Sequence, residues 1–171
     1  KLLVYNDTRK FGIVTVLRAS ELHEFQFFRK LGLEPLSEEF NAKVLYEILK
    51  ARNKSIKSVI MDSSIIVGVG NIYACESLFS SGLSPLRIAN QVTQKEAARL
   101  YKSIVDTLQR AIVAGGSTIS DYANADGEAG YFQHNFLVYD RESEPCKKCK
   151  TKISRVKQNG RSSYYCGSCQ I

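Results

Sequence analysis

The stretch "IIVGVGNIYACESLF", residues 65–79, joins an apolar run to a Gly-x-Gly turn and then to a helix-like segment. Phosphate-binding nucleotide loops begin in this way, because the free backbone N–H groups of a helix N-terminus bind anions. A dinucleotide loop would carry a third glycine where Tyr73 stands, and a strand–helix–strand unit would surround it. Helical patterns flank this turn instead, which favours a phosphate that does not belong to a bound nucleotide.

Amphipathic segments on both sides of the turn predict a helical body. Residues 20–31 follow a serine cap with apolar positions near helical spacing, and residues 37–53 carry a clear apolar stripe. Residues 71–82 are expected to form a helix of about three turns, with Asn71 near its start and Gly82 at its stop.

The longest helix is predicted over residues 93–114. Thr93 and Glu96 have the spacing of a capping box, which satisfies backbone N–H groups at a helix start. The polar, glycine-rich segment 115–131 follows. A segment of this length without a periodic pattern is expected to be either a functional loop or disordered.

β-Structure is expected at both ends of the chain. Alternating or β-branched runs predict strands at 2–5, 12–17 and 132–141. Asn159-Gly160 predicts the turn of a hairpin within residues 153–166, since both positions of such a turn need a positive φ.

Four of the five cysteines lie in the last 26 residues as two Cys-x-x-Cys pairs, sixteen residues apart. Such pairs can close a tetrahedron of thiolates around zinc, and the predicted hairpin brings them together. The alternatives, redox chemistry and two disulfides, fit two pairs around a hairpin less well. Cysteine would occupy all four coordination positions of the metal, so none is open for water or substrate. One structural zinc ion is therefore predicted, with the ligands Cys146, Cys149, Cys166 and Cys169.

The net charge of +7 is unevenly distributed, because residues 141–171 contribute +6 and residues 1–140 contribute +1. A basic tail on a near-neutral body suggests a polyanion partner, and a solubilising tail is the alternative. Arg161 directly follows the predicted hairpin turn, where its guanidinium would be either solvated or in contact with phosphate. No apolar run approaches the roughly 20 residues of a membrane helix, so no membrane partner is expected.

Nine motifs, in chain order, are similar to those of the formamidopyrimidine-DNA glycosylase and endonuclease VIII family. The resemblance runs from about Asp7 to the C-terminus, and the Arg-x-Phe of "TRKFG" resembles the formamidopyrimidine branch. The motifs are "DTRKFG", "LGLEPLS", "IKSVIMD", "VGVGNIYACESLF", "GGSTISDY", "DGEAGYFQ", "LVYDR", "PCKKC" and "GRSSYYCGSCQ".

The resemblance implies an α+β architecture. A helix–two-turns–helix domain is followed by a zinc-ribbon β-hairpin and preceded by the last strands of a β-sandwich domain. The expected boundaries are 1–19 for the sandwich remnant, 20–116 for the helical DNA-binding domain, 117–131 for a loop that caps the lesion, and 132–171 for the zinc ribbon.

The resemblance also implies a function in base-excision DNA repair. Family members bind double-stranded DNA that contains an oxidised purine or an abasic site, and they flip the damaged base out of the stack. They cut the glycosidic bond and then the strand, by β- and δ-elimination through a Schiff base. Further implications are a monomer when intact and a bacterial cytoplasmic location at the nucleoid.

The catalytic front of that family has no counterpart in this sequence. The family nucleophile is an N-terminal proline followed by a glutamate, whereas this chain begins "KLLVYND" and its first proline is Pro35. We therefore expect the C-terminal part of such an enzyme, inactive when alone. The alternative is a non-catalytic zinc-ribbon module that binds DNA or protein.

Two residues near the start of the chain match the family residues that enter the gap left by the flipped base. By this resemblance, Arg9 reads the orphaned cytosine and Phe11 wedges the base stack. Phe11 taken alone would be interpreted as a core residue. In the capping loop, Ser120 stands where many relatives carry lysine or arginine.

Four further residues match DNA-contacting positions of the family. By resemblance, Asn71 contacts phosphate at the lesion, and Arg161 grips the flanking phosphates and donates a proton in δ-elimination. Arg52 and Lys57 match basic contact positions, and the alternative for both is a solvated helix charge.

Overall fold

The structure, a computed structural model, describes residues 4, 5, 7, 12–117 and 130–171. The helices are α1 (Ala42–Lys50), α2 (Ile56–Ile60), α3 (Asn71–Ser81) and α4 (Gln94–Val113), and the strands are β1 (Ser154–Gln158) and β2 (Arg161–Tyr165). Short 3-10 helices span Ala19–Glu24, Ala89–Gln91 and Phe132–Asn135. In this part of the chain, no helix has the length and hydropathy of a membrane span.

Side-chain caps fix the starts of the helical body. The Asn41 side chain accepts hydrogen bonds from the backbone of Lys43 and Val44 at the start of α1. Thr93 and Glu96 form the predicted capping box of α4. At the end of α3, Gly82 adopts φ 74°, the left-handed conformation that glycine reaches at low cost.

α1 and α3 both pack against α4. Their apolar faces form one core, in which Leu45 and Leu49 of α1, Leu78 of α3, and Leu100 and Ile104 of α4 are fully buried. α3 and α4 therefore begin and end close to the predicted positions, whereas α1 (Ala42–Lys50) is shorter than the predicted stretch 37–53 at both ends. Burial of these faces holds the helices together.

Two turns lead from α2 to the start of α3. Asp62 Oδ1 accepts hydrogen bonds from the backbone and hydroxyl of Ser64. Gly32 crosses this segment so closely that a Cβ would clash with the backbone of Ile65. Gly68 has φ 86° and ends the turn, so glycine is needed at both positions.

The C-terminal domain is built on the predicted hairpin. Strands β1 and β2 are antiparallel, with Ser154 opposite Tyr165 and Gln158 opposite Arg161. Asn159 (φ 48°) and Gly160 (φ 77°) form the turn, as the sequence predicts.

α3 is shared between the helical body and the hairpin domain. One side contributes to the helical core, whereas Cys75 and Phe79 pack in a second cluster with Val138, Ile153 and Tyr164. The chain end completes this contact, because the backbone of Ile171 exchanges hydrogen bonds with residues 82 and 84. The two domains are therefore packed directly on one helix.

Three predicted elements differ from the described structure. The strand expected at 12–17 is chain without regular secondary structure, so no strand precedes the helices among the described residues. The helix expected over 20–31 is only the 3-10 helix Ala19–Glu24 followed by turns. Phe27 and Phe28 remain about half exposed, so burial does not stabilise a longer helix there.

The prediction of a strand at 132–141 is also wrong. This segment begins with the 3-10 helix Phe132–Asn135, whose Phe132 and Phe136 rings pack beside Ala111 of α4. The backbone N–H groups of residues 137–139 then bond to a side chain of α3 rather than to a neighbouring strand.

Candidate nucleic-acid interface and metal centre

The four cysteines of the two pairs converge at one point. Their sulfur atoms all lie within 4.8 Å of one another. Cys146 Sγ lies 3.9 Å from Cys169 Sγ, and Cys149 Sγ lies 3.4 Å from Cys166 Sγ. Zinc–sulfur bonds of about 2.3 Å give tetrahedral edges of about 3.8 Å, so the four sulfurs fit one zinc ion. This set leaves no open coordination position, which is typical of a structural site.

The four thiols lie close enough to affect one another's ionisation. Hydrogen bonding from Thr151 lowers the pKa of Cys149 to about 6, whereas hydrogen bonding with Cys149 raises the pKa of Cys169 to about 12. Thiols this close cannot all ionise unless a cation neutralises them, and zinc binds cysteine as thiolate. The residues present therefore suit zinc by element, number and spacing.

The metal centre lies against α3. Cys146 and Cys166 are fully buried in the cluster that contains Cys75 and Phe79. Lys148 places its ammonium group 4.7 Å from the centre of the Phe79 ring. The zinc site thus fixes the base of the hairpin on α3, the helix that begins at Asn71.

Lys57 fastens the hairpin to the helical body. Its ammonium nitrogen lies 2.6 Å from Asn71 Oδ1, 2.6 Å from Ser163 Oγ and 3.0 Å from the Ser162 carbonyl. The side chain is 2% exposed, so it is not the solvated helix charge considered from the sequence. Burial lowers the pKa of Lys57, and the nearby positive charge of Arg161 also lowers it.

Asn71 is the first residue of α3 and contacts the same hairpin carbonyl as Lys57. Its Nδ2 donates to the Ser162 carbonyl at 3.0 Å, and its Oδ1 accepts from Lys57. The helix N-cap is Gly70, which has no side chain to cap the first backbone N–H groups. The amide of Asn71 and these N–H groups therefore form a donor-rich helix start beside the hairpin.

Gly70 is extended rather than left-handed, with φ −77°. A Cβ built on it, or on Gly68, meets no atom within 4 Å. The space in front of the helix start is consequently open. Of the two positions, 68 requires glycine because its φ is positive, whereas position 70 does not.

Arg161 lies directly after the hairpin turn and is exposed, as the sequence predicts. It shares a cavity of about 170 Å³ with Lys57, Met61, Asp62 and Asn159, on the α2 side of the hairpin. Among the described residues, no hydrogen bond or ion pair engages its guanidinium. Its donors therefore point to a ligand outside the chain or to water.

The other predicted residues are placed differently. Arg52 is half-buried, and its Nη1 donates to the Ile48 carbonyl at 2.6 Å near the end of α1. Cys75 is buried as expected, and burial raises the pKa of its thiol. Arg9, Phe11 and Ser120 lie outside the described residues, as does most of the 117–131 loop.

Glu76 has a role that no sequence pattern indicated. Its carboxylate is 1% exposed and accepts backbone hydrogen bonds from Leu137, Val138 and Tyr139 at 2.8, 3.0 and 2.9 Å. These partners follow more than 60 residues later in the chain, so no local pattern could identify them. The carboxylate anchors the segment that leads into the zinc ribbon.

Two family models match the chain. The formamidopyrimidine-DNA glycosylase H2TH domain matches residues 31–123, and the zinc finger found in FPG and IleRS matches residues 143–171. The chain is 51% identical over 168 residues to a formamidopyrimidine-DNA glycosylase of Wolbachia pipientis subsp. Culex pipiens, covering 98% of this chain and 61% of that protein. It thus spans about three fifths of the length of such curated relatives.

Solved structures are similar over the same region. The crystal structure of MutM (Fpg) from Thermus thermophilus has a TM-score of 0.88 and 40% identity, covering 96% of this chain and 62% of that one. A complex between Lactococcus lactis Fpg and an abasic site containing DNA has a TM-score of 0.81 and 33% identity, covering 89% and 56%.

Proposed function

The chain belongs to the formamidopyrimidine-DNA glycosylase family, and on that premise we propose that it binds damaged double-stranded DNA in base-excision repair. The ligand class is a duplex with an abasic site or an oxidised purine. The activity proposed for the whole protein is excision of the oxidised purine, followed by strand cleavage at the abasic site. Its proposed location is the bacterial cytoplasm, in association with the nucleoid.

The observation that carries this proposal is the joining of the α3 start to the hairpin tip. The donor-rich start of α3 and the guanidinium of Arg161 lie on neighbouring segments, because the Asn71 amide bonds to the residue next to Arg161. Both groups favour anions, and no carboxylate pairs with Arg161 in the described part of the chain. Two adjacent donor groups of this kind suit successive phosphates of one DNA strand.

The proposed roles follow from chemistry and from the family resemblance. Arg161 can bind a phosphate with two parallel hydrogen bonds, and its proposed role in the δ-elimination step is proton donation. Within the part of the chain that the structure describes, one amide hydrogen of Asn71 has no acceptor, and we assign it to a phosphate oxygen. Arg52, Arg9 and Phe11 remain proposed DNA contacts by resemblance alone.

The zinc ion would be held by the four-cysteine set at the base of the hairpin. A metal at this place contributes folding free energy to a segment with a small core of its own. The zinc ribbon positions Arg161, because Arg161 is the first residue of β2 and buried contacts hold this strand against α3.

Affinity for DNA tests this proposal directly. Fluorescence anisotropy with a labelled abasic-site duplex is expected to give tighter binding than an undamaged duplex of the same length. Arg161→Gln is expected to weaken binding about tenfold, because a charge-assisted contact is lost. Lys102→Met, which removes one exposed charge from α4, is the matched control and is expected to change affinity less than twofold.

Two results would contradict the proposal. Equal affinity of Arg161→Gln and the unchanged chain would remove the hairpin tip from the interface. Equal affinity for damaged and undamaged duplexes would instead indicate a general DNA-binding module.

A further inference from the structure

Lys57 uses every hydrogen-bond donor that it has within the chain. An ammonium group carries three donors, and the three acceptors are Asn71 Oδ1, Ser163 Oγ and the Ser162 carbonyl. All three distances are 3.0 Å or less, and the side chain is 2% exposed. No donor of Lys57 is left for a phosphate in this arrangement.

The charge of Lys57 is buried without a carboxylate partner. Among the described residues, no acidic oxygen lies within 4 Å of its nitrogen. The thiol of Cys75 also lies beside Lys57: burial raises the pKa of this thiol, and the interaction with Cys75 partly offsets the lowering of the Lys57 pKa by burial. A buried charge that is held only by neutral acceptors costs free energy, so stability alone does not account for it.

The three acceptors lie on two different segments. Asn71 is the first residue of α3, and residues 162 and 163 belong to β2, immediately after Arg161. Lys57 itself lies on α2, so one nitrogen atom links three elements from distant parts of the sequence. Ser163 extends the link, because its hydroxyl donates to Gln158 Oε1 at 2.5 Å.

We propose that Lys57 is a positioning residue that sets the spacing between the α3 start and Arg161, rather than a direct DNA contact. The inference rests on the proposed function, because the spacing matters only if both groups bind phosphates of the same strand. The ammonium group holds the Asn71 amide and the β2 backbone at fixed distances, so the two phosphate-binding groups are pre-organised before DNA arrives.

Ser163→Ala is the sharpest test, because Ser163 is fully buried and cannot reach DNA. Loss of its hydroxyl removes one acceptor of Lys57 and is expected to weaken binding to the abasic-site duplex about fivefold. The matched control is Ser77→Ala, a buried serine of α3 whose hydroxyl bonds to the Ser103 carbonyl of α4. It is expected to leave the affinity within twofold, and thermal unfolding of all variants checks that they are folded.

Lys57→Met separates positioning from direct contact when it is combined with Arg161→Gln. A positioning residue acts through Arg161, so Lys57→Met should cost about tenfold in the unchanged chain and less than about threefold in the Arg161→Gln background. A direct phosphate contact would cost the same in both backgrounds and would lower the salt slope by about 1 in each.

The outcomes distinguish the inference from the proposed function. The inference is overturned if Ser163→Ala binds like the unchanged chain, or if the effects of Lys57→Met and Arg161→Gln add. If the unchanged chain does not bind duplex DNA at all, the proposed function itself fails. Should Lys57→Met fail to fold, the comparison of Ser163→Ala with Ser77→Ala still decides.

Discussion

Glu76 and Lys57 are two buried charged side chains at the contact between the helical body and the zinc ribbon. Glu76 holds the segment that enters the ribbon, and Lys57 holds the strand that carries Arg161. Backbone N–H groups satisfy Glu76, whereas two side-chain oxygens and one carbonyl accept from Lys57. These partners have no local sequence signature. The sequence predicted the exposed Arg161 because turn chemistry is local, whereas these two contacts depend on residues more than 60 positions away.

Glu76→Gln is expected to destabilise the fold. A carboxylate accepts at both oxygens, whereas an amide turns an N–H toward at least one of the backbone donors of residues 137–139. The expected loss is about 1–3 kcal/mol in the free energy of unfolding, measured by urea denaturation. Glu47→Gln on the exposed side of α1 is the control, with an expected change of about 0.5 kcal/mol or less. A similar change for both variants would contradict the anchoring role of Glu76.

Among the helices and strands, the predictions that held were those with chemistry at the element ends. The capping box of α4, the glycine stop of α3 and the Asn-Gly hairpin turn are local features, and the structure has all three. The predictions that failed were a strand at 12–17, a helix over 20–31 and a strand at 132–141, and they rested mainly on apolar or β-branched spacing. The serine cap at residue 20 did not rescue the predicted helix, because the observed 3-10 helix spans only Ala19–Glu24. Such spacing specifies an element only when a partner covers its apolar face.

The capping box of α4 predicts a defined pH dependence. Burial raises the pKa of Glu96, but hydrogen bonds from the Thr93 backbone and from Arg87 outweigh this effect. The pKa of Glu96 is therefore lowered to about 2, from an ordinary value of 4.5. A lowered folded-state pKa means that the stabilisation is complete above about pH 4.5 and is lost as the pH falls toward 2. A pKa shift of this size corresponds to more than about 3 kcal/mol, and the partial exposure of the Arg87 and Glu96 side chains reduces the expected contribution to about 2–3 kcal/mol.

The comparison of the unchanged chain with Glu96→Gln isolates this effect from other acid-sensitive groups. The difference in unfolding free energy between the two proteins is expected to shrink steadily from about pH 5 to about pH 2. A difference that stays constant over this range would mean that Glu96 titrates normally.

Removal of zinc is expected to unfold the hairpin domain and leave the helical body. Cys146 and Cys166 are fully buried in the cluster beneath the hairpin, so a released metal exposes that cluster as well. After treatment with a chelator, NMR signals of residues 143–171 should lose dispersion while α1 and α4 keep theirs, and DNA affinity should fall about tenfold or more. Persistence of both the hairpin signals and the affinity would contradict a structural metal.

For the molecule as a whole, one helix couples two binding groups. α3 begins at the donor-rich turn, packs against α4 along one side and carries the ribbon along another. The order of helices, the hairpin and the cysteine quartet could be predicted from the sequence, because each has local spacing. The proximity of the α3 start to Arg161 has no local pattern, and the sequence indicated it only through the family resemblance, which assigns Asn71 and Arg161 to phosphates at or beside the lesion.

The most direct test of this account is the salt dependence of DNA affinity. Dissociation constants of the unchanged chain and of Arg161→Gln would be measured for an abasic-site duplex between about 50 and 200 mM salt. Phosphate contacts release counterions, so we predict that log affinity falls linearly with log salt and that Arg161→Gln lowers this slope by about 1. An affinity that does not change with salt, or the same slope in both proteins, would contradict a phosphate-binding surface built from α3 and the zinc hairpin.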